Sequence, residues 1–157
     1  MPIGSRIQKN LEMQGFQCGT PQFDAVEPWL RLSPLVCFAI VAYGLYSASA
    51  TVFFALAVFV AIGAVTRHAG ADYIYNFGIR FLTKTPALPP NPPPRRFACV
   101  VGTFWSFGIA LAFLYGHAAL AYALGIAMLF VITPMILRHF CVASLIFQKL
   151  IGFRSVV

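Results

Sequence analysis

Two long stretches without formal charge, residues 32–66 and 97–137, constrain this chain more than any other feature. Neither holds an Asp, Glu, Lys or Arg. Drawn out as single helices they would run about 50 and 60 Å at ~1.5 Å per residue, against a hydrocarbon core of ~30 Å. Each stretch therefore reads as a helical hairpin that crosses a bilayer and returns. The predicted fold is an all-α polytopic membrane protein, with four transmembrane helices as two helical hairpins and cytoplasmic interfacial helices. Composition agrees: 60% of residues are hydrophobic and 10% charged, where a soluble domain carries ~25% charged.

The placement of the charges gives the expected orientation. All 11 basic residues fall outside the two stretches: Arg6, Lys9 and Arg31 before the first, Arg67, Arg80, Lys84, Arg95 and Arg96 between them, Arg138, Lys149 and Arg154 after the second. The predicted hairpin tips, near 47–51 and 116–118, carry none. Four spans put all three basic segments on one side, and the positive-inside rule makes that side the cytoplasm. The net charge of +7 is then a topology signal. It is not a nucleic-acid footprint, because basic stripes with interleaved aromatics are missing. No cleavable signal peptide is expected in the first 31 residues, which lack an apolar h-region. Cys18, Cys37, Cys99 and Cys141 form no C-x-x-C pair, and a disulfide framework is not expected.

Along the chain, residues 1–28 read as a polar cytoplasmic segment, with one or two helical turns at 8–15. Residues 29–67 form the first hairpin, with Trp29 at the interface and spans near 29–46 and 50–66. Residues 68–96 form a cytoplasmic loop. Within it, Asp72, Asn76, Arg80 and Lys84 recur every four residues, while Tyr73, Ile74, Phe77 and Phe81 cover another side. That pattern predicts a helix in the membrane interface, or packed on the end of the bundle. Six prolines between 86 and 94 predict a stiff polyproline II spacer. Residues 97–139 form the second hairpin, with Pro134 predicting a kink near its end. Residues 140–157 read as a C-terminal amphipathic segment. Gly102, Ser106 and Ala110 in the third span, and Ala119, Ala123 and Ala127 in the fourth, offer small-residue faces for helix packing. Tyr43-Gly44 and Arg67-His68 recur as Tyr115-Gly116 and Arg138-His139, 72 and 71 residues later. Such a repeat implies a pseudo-two-fold axis along the membrane normal.

The motif Pro92-Pro93-Pro94-Arg95-Arg96-Phe97-Ala98, then Gly102, Gly116-His117 and Phe140-Cys141, resembles a family of small bacterial integral membrane proteins catalogued as a domain of unknown function. The resemblance spans about residues 25–150. It implies two hairpins, a Pro-rich join and location in the bacterial cytoplasmic membrane, and it brings no activity. Many members carry a second cysteine three residues after the first. Here that position is Ser144, so two-cysteine redox or metal chemistry does not transfer.

The candidate site residues are few. The four acids, Glu12, Asp24, Glu27 and Asp72, all lie outside the predicted spans, which argues against a proton-coupled transporter and a paired-carboxylate hydrolase. His68 and His139 would sit symmetrically at the cytoplasmic ends of spans two and four. They read either as bis-imidazole ligands of a b-type haem or as interfacial residues beside arginine. Arg67, Arg95, Arg96 and Arg138 read as contacts to lipid phosphate or to an anion. Cys141 reads as a reactive thiol beside Arg138 or as a small apolar filler. No metal site and no resident cofactor are expected. The function expected is non-enzymatic: an accessory or scaffold subunit of a larger membrane complex or a homo-oligomer, with membrane lipids and other membrane subunits as partners. An anion or small-molecule carrier or channel is the alternative, and a haem- or quinone-linked redox protein the third reading.

Overall fold

A computed structural model describes residues 4–151, and all regular structure among them is helical. Helix α1 (Ser5–Met13) ends in a turn at Gly15, whose φ of +90° lies in the left-handed region. Helix α2 (Pro21–Val26) is capped by the Thr20 hydroxyl, which accepts from the Phe23 amide at 3.3 Å, with Pro21 where a missing amide is harmless. A 3₁₀ turn (Glu27–Arg31) leads into α3 (Leu32–Tyr46), and a short reversal leads into α4 (Ala50–Val65). Helix α5 (Gly70–Ile74), a π-helical turn (Tyr75–Ile79) and α6 (Arg80–Thr83) follow. The chain closes with α7 (Pro93–Leu114), α8 (Ala118–Arg138) and α9 (Val142–Ile151).

Among the described residues, three helical segments are long and apolar enough to cross a membrane: Pro21–Tyr46, Pro93–Leu114 and Ala118–Arg138. A fourth is added if Ala50–Val65 and Gly70–Thr83, bent by 77° at their junction, count as one. Helix α4 packs chiefly on α7, and α3 on α8. Between them lies a core of Val41, Leu45, Phe53, Leu56, Ile109 and Met128. Close approach depends on small residues. A Cβ on Gly63 of α4 would lie 3.0 Å from Cys99 Sγ of α7, and Ser106 and Ala110 are fully buried in the same face.

On α8 the packing stripe is offset from the expected one. Ala119 and Ala123 are exposed, while Ala121, Gly125 and Met128 face inward. Both sets have helical spacing, and Gly125 decides between them because only its missing side chain admits Leu45 of α3. Pro134 is carried inside α8, which continues to Arg138.

Residues 4–28 are more ordered than their polarity predicts. Leu11, Phe16, Phe23 and Val26 join Leu30, Tyr75 and Leu88 in a second core, capping one end of the bundle. Four apolar residues scattered through a polar segment show no helical period until Tyr75 and Leu88 arrive from elsewhere to cover them. The helical segment ending in α3 accordingly begins at Pro21, and Trp29 packs on Tyr75, ring centroids 5.1 Å apart.

The proline-rich stretch is a strap as well as a spacer. The Leu88 amide donates to Asn76 Oδ1 at 2.9 Å, the Asn91 amide to the Arg67 carbonyl at 2.6 Å, and Leu88 is buried. The predicted helix over 71–84 is interrupted by the π turn. Asp72, expected on the wet face, is fully buried, and so is Tyr75.

Candidate functional site

The charged residues gather where α1, α2 and the strap meet the ends of α7 and α8. Two buried clusters form there, both from residues that lie far apart in sequence.

The first joins α5 to α7. Asp72 sits in the first turn of α5, where Oδ2 accepts from the Ala69 amide at 3.0 Å, an arrangement that favours a carboxylate at a helix start. Its Oδ1 faces Arg95 Nη2 at 4.0 Å, with both side chains almost wholly buried. Arg95 also points Nη2 at the Leu30 carbonyl, 3.4 Å away, and lies 5.4 Å from the Phe16 ring centroid. Arg95 therefore departs from the expected lipid or anion contact: its guanidinium is turned inward by a buried acid. Arg96 is exposed, yet it too has an internal role. It donates to the carbonyls of Ala64 (3.1 and 3.0 Å) and Val65 (3.2 Å), the orphan acceptors at the end of α4.

The second cluster joins the cap to α8. His139 ends α8 in the left-handed region at φ 51°, a conformation more usual for Gly or Asn. Its carbonyl accepts from Gln14 Nε2, and the Arg138 carbonyl accepts from Asn10 Nδ2 at 2.7 Å. On the ring, Nε2 lies 2.6 Å from Glu27 Oε1 and 2.9 Å from Arg31 Nε, while Arg31 Nη2 donates to Glu27 at 3.0 Å. One imidazole nitrogen cannot donate and accept at once. Either Nε2–H is given to Glu27 and Arg31 Nε loses its acceptor, or Nε2 accepts from Arg31 Nε and makes no hydrogen bond to Glu27.

Burial holds the His139 imidazole below the ordinary histidine range; Glu27 opposes this, and Arg31 and Arg95 add to it. A depressed pKa means the folded protein binds fewer protons than the unfolded chain. Stability is then full above the ordinary value of 6.5 and is lost as pH falls below it. Thermal unfolding in mild detergent is expected to show a midpoint that drops between neutral pH and pH ~5.5. His139→Asn, which keeps the left-handed backbone, should flatten that drop. An identical pH slope in the variant would mean that His139 does not titrate across folding.

The other predicted site residues are dispersed. His68 lies at the bend after α4, half-buried, its ring edge-on to Tyr73 at 5.7 Å. It shares no partner with His139. Arg67 and Arg138 are exposed. Cys141 is half-buried just before α9, where its carbonyl accepts from the Leu145 amide at 3.2 Å. Ser144 is buried and donates to the Pro94 carbonyl at 3.3 Å, so it tethers α9 to α7. Burial, with Glu12 and Asp24, pushes the Cys18 thiol up to about 11, which keeps it out of the reactive thiolate form.

Glu27, Arg31 and Asp72 carry no site signature in the sequence beyond lying outside the predicted spans. One signal was available: Asp72 is the only acid after residue 27. A lone carboxylate amid so many cations has many suitors, though nothing in the spacing says which.

Residues 27–151 match the family model described as Domain of unknown function (DUF4395). The matched segment takes in the ionisable residues of both clusters and ends with α9. No curated protein matches the chain, and no solved structure does.

Proposed function

The chain belongs to the DUF4395 family, and we propose that it is a four-span protein of the bacterial cytoplasmic membrane acting as a non-enzymatic accessory or scaffold subunit. Its termini are cytoplasmic, and its partner is a larger membrane complex or further copies of itself. One observation carries this reading. The buried ionisable groups at the charged end, Asp72 with Arg95 and Glu27 with Arg31 and His139, are paired with one another, while the spans leave most of their surface uncovered. Along their most apolar stretches, α7 and α8 have 22% and 17% of residues buried by the chain itself. Phe104 and Phe130 are 72% and 73% exposed. Asp72 with Arg95, and Glu27 with Arg31 and His139, tie elements together and present no free charge to a solute.

The four-span topology draws support from the turns and the packing. Ala48 and Gly116 take left-handed conformations, φ 47° and 78°, at the two charge-free reversals. A two-fold relating the α3–α4 hairpin to the α7–α8 hairpin exchanges the α4–α7 contact with the α3–α8 contact, and both exist. Helix α4 has 16 residues, about 24 Å, short for a span. Arg96 answers the carbonyls at its end, so the helix can stop there without leaving acceptors in lipid. Haem ligation by His139 through Nε2 would require both Glu27 and Arg31 to move away.

Native mass spectrometry from gently solubilised membranes is expected to detect the chain in a defined assembly above its monomer mass. A monomer across all mild detergents, or solute uptake by the protein alone in proteoliposomes, would sink the accessory reading. The topology is read separately: Lys84→Cys should react with an impermeant maleimide only after the cell is opened.

A further inference from the structure

Two of the four cations that the sequence points toward lipid, Arg95 and Arg96, are engaged within the fold, while Arg67 and Arg138 stay exposed. Arg95 is buried against Asp72, and Arg96 is engaged with the end of α4. Around the π turn the situation is reversed. Ile74 (57%), Phe77 (78%), Phe81 (64%) and Leu82 (86%) are exposed, while Tyr75 and Asp72 point inward. The extra residue in a π turn shifts the helical register. Here Tyr75 enters the second core while Phe77 and Phe81 face away from it. Arg80 lies beside this apolar face, its Cζ 4.7 Å from the Phe81 ring centroid, and Lys84 follows, exposed, in the left-handed region that ends α6. Among the described residues, the ion pairs involve Arg31, Arg95 and His139, and neither Arg80 nor Lys84 has an acidic partner. The whole segment turns 77° away from α4.

We propose that Gly70–Lys84 is a binding site for anionic phospholipid: Ile74, Phe77, Phe81 and Leu82 enter the acyl boundary, and Arg80 and Lys84 take the headgroup phosphate. This rests on the membrane reading above, in which α4 crosses the bilayer. A segment turned 77° from such a helix lies close to the membrane plane, the attitude of an interfacial amphipathic helix. Charge selects the occupant. Unpaired cations beside an apolar face complement an anionic interface, where each contributes about fivefold in affinity near the surface. The cation–π contact keeps the Arg80 guanidinium beside the Phe81 ring.

The test is lipid competition on the full chain in nanodiscs. Phosphatidylglycerol competes with phosphatidylcholine of matched acyl chains, and retained lipid is read by native mass spectrometry. The wild type is expected to retain phosphatidylglycerol preferentially. The Arg80→Gln/Lys84→Gln variant, altered only outside the core, should lose roughly thirty-fold of that preference with an unchanged unfolding midpoint. Phe77→Ser/Phe81→Ser should weaken retention of both lipids alike. An unaltered preference in the double-Gln variant overturns the proposal. So does displacement of the lipid by inorganic phosphate at equal concentration, which would mark a site for free phosphate. A chain that fails to embed in nanodiscs sinks the membrane reading and this site together; one that embeds without headgroup preference sinks only the site.

Discussion

Arg95→Ala is expected to destabilise the protein by about 3–5 kcal/mol, the cost of stranding one partner of a buried ion pair. The measurement is the unfolding midpoint in mild detergent, converted through a denaturant titration. The loss would not equal the attraction in the pair, since 4.0 Å between Oδ1 and Nη2 is long for a charge-assisted hydrogen bond. It comes from the Asp72 carboxylate, which is fully buried and whose Oδ1 has no hydrogen-bond partner. Without Arg95 only the Ala69 amide and the start of α5 face that charge. The variant Asp72→Asn/Arg95→Met is therefore expected to recover most of the loss: Asn keeps an oxygen for the Ala69 amide, and Met fills the space beside Phe16. Additive single effects would contradict direct coupling between the two residues. A cost under about 1 kcal/mol for Arg95→Ala would mean the pair behaves as a solvated one.

Gly125→Leu is expected to cost about 3 kcal/mol, the upper part of the range for overpacking a close-packed interior. Leu45 of α3 occupies the position a Cβ on Gly125 would need, with Cδ1 and Cγ also within 3.1 Å. The tip of Leu45 can swing, but Cγ is anchored to a helix whose neighbours Val41 and Phe53 are fully buried. Helix α8 would have to move outward, opening the α3–α8 contact. Leu45→Ala alone leaves a cavity and should cost about 2–3 kcal/mol. Combined with Gly125→Leu it refills the space from the opposite helix, so the double variant should be more stable than either single one. Failure of that rescue would place the strain of Gly125→Leu elsewhere on α8. Ala123→Leu, on the exposed side of the same helix, serves as the control and should leave the midpoint unchanged. A drop there, seen only in the assembled protein, would locate the partner.

Much of the architecture was legible in the chain itself, for a simple reason. Lipid cannot hydrogen-bond a backbone or solvate a charge, so the absence of charge over 32–66 and 97–137 dictates helices and their approximate ends. The reversals at Ala48 and Gly116 and the buried Ser106–Ala110 face follow from local composition, whereas α7 begins at Pro93, inside the stretch that reads as a polyproline II spacer. What tertiary structure alone decided lies at the charged end. Asp72 fits a wet helical face by spacing, and only the arrival of Arg95 across the strap makes its burial tolerable. Glu27 and His139 stand 112 residues apart, and no period or motif links them. The α8 stripe was ambiguous between two registers until Leu45 met Gly125. Solvent preference is a property each residue carries alone, so it can be read along a line. Which charge neutralises which is a property of pairs, and it exists only once the chain has folded back on itself.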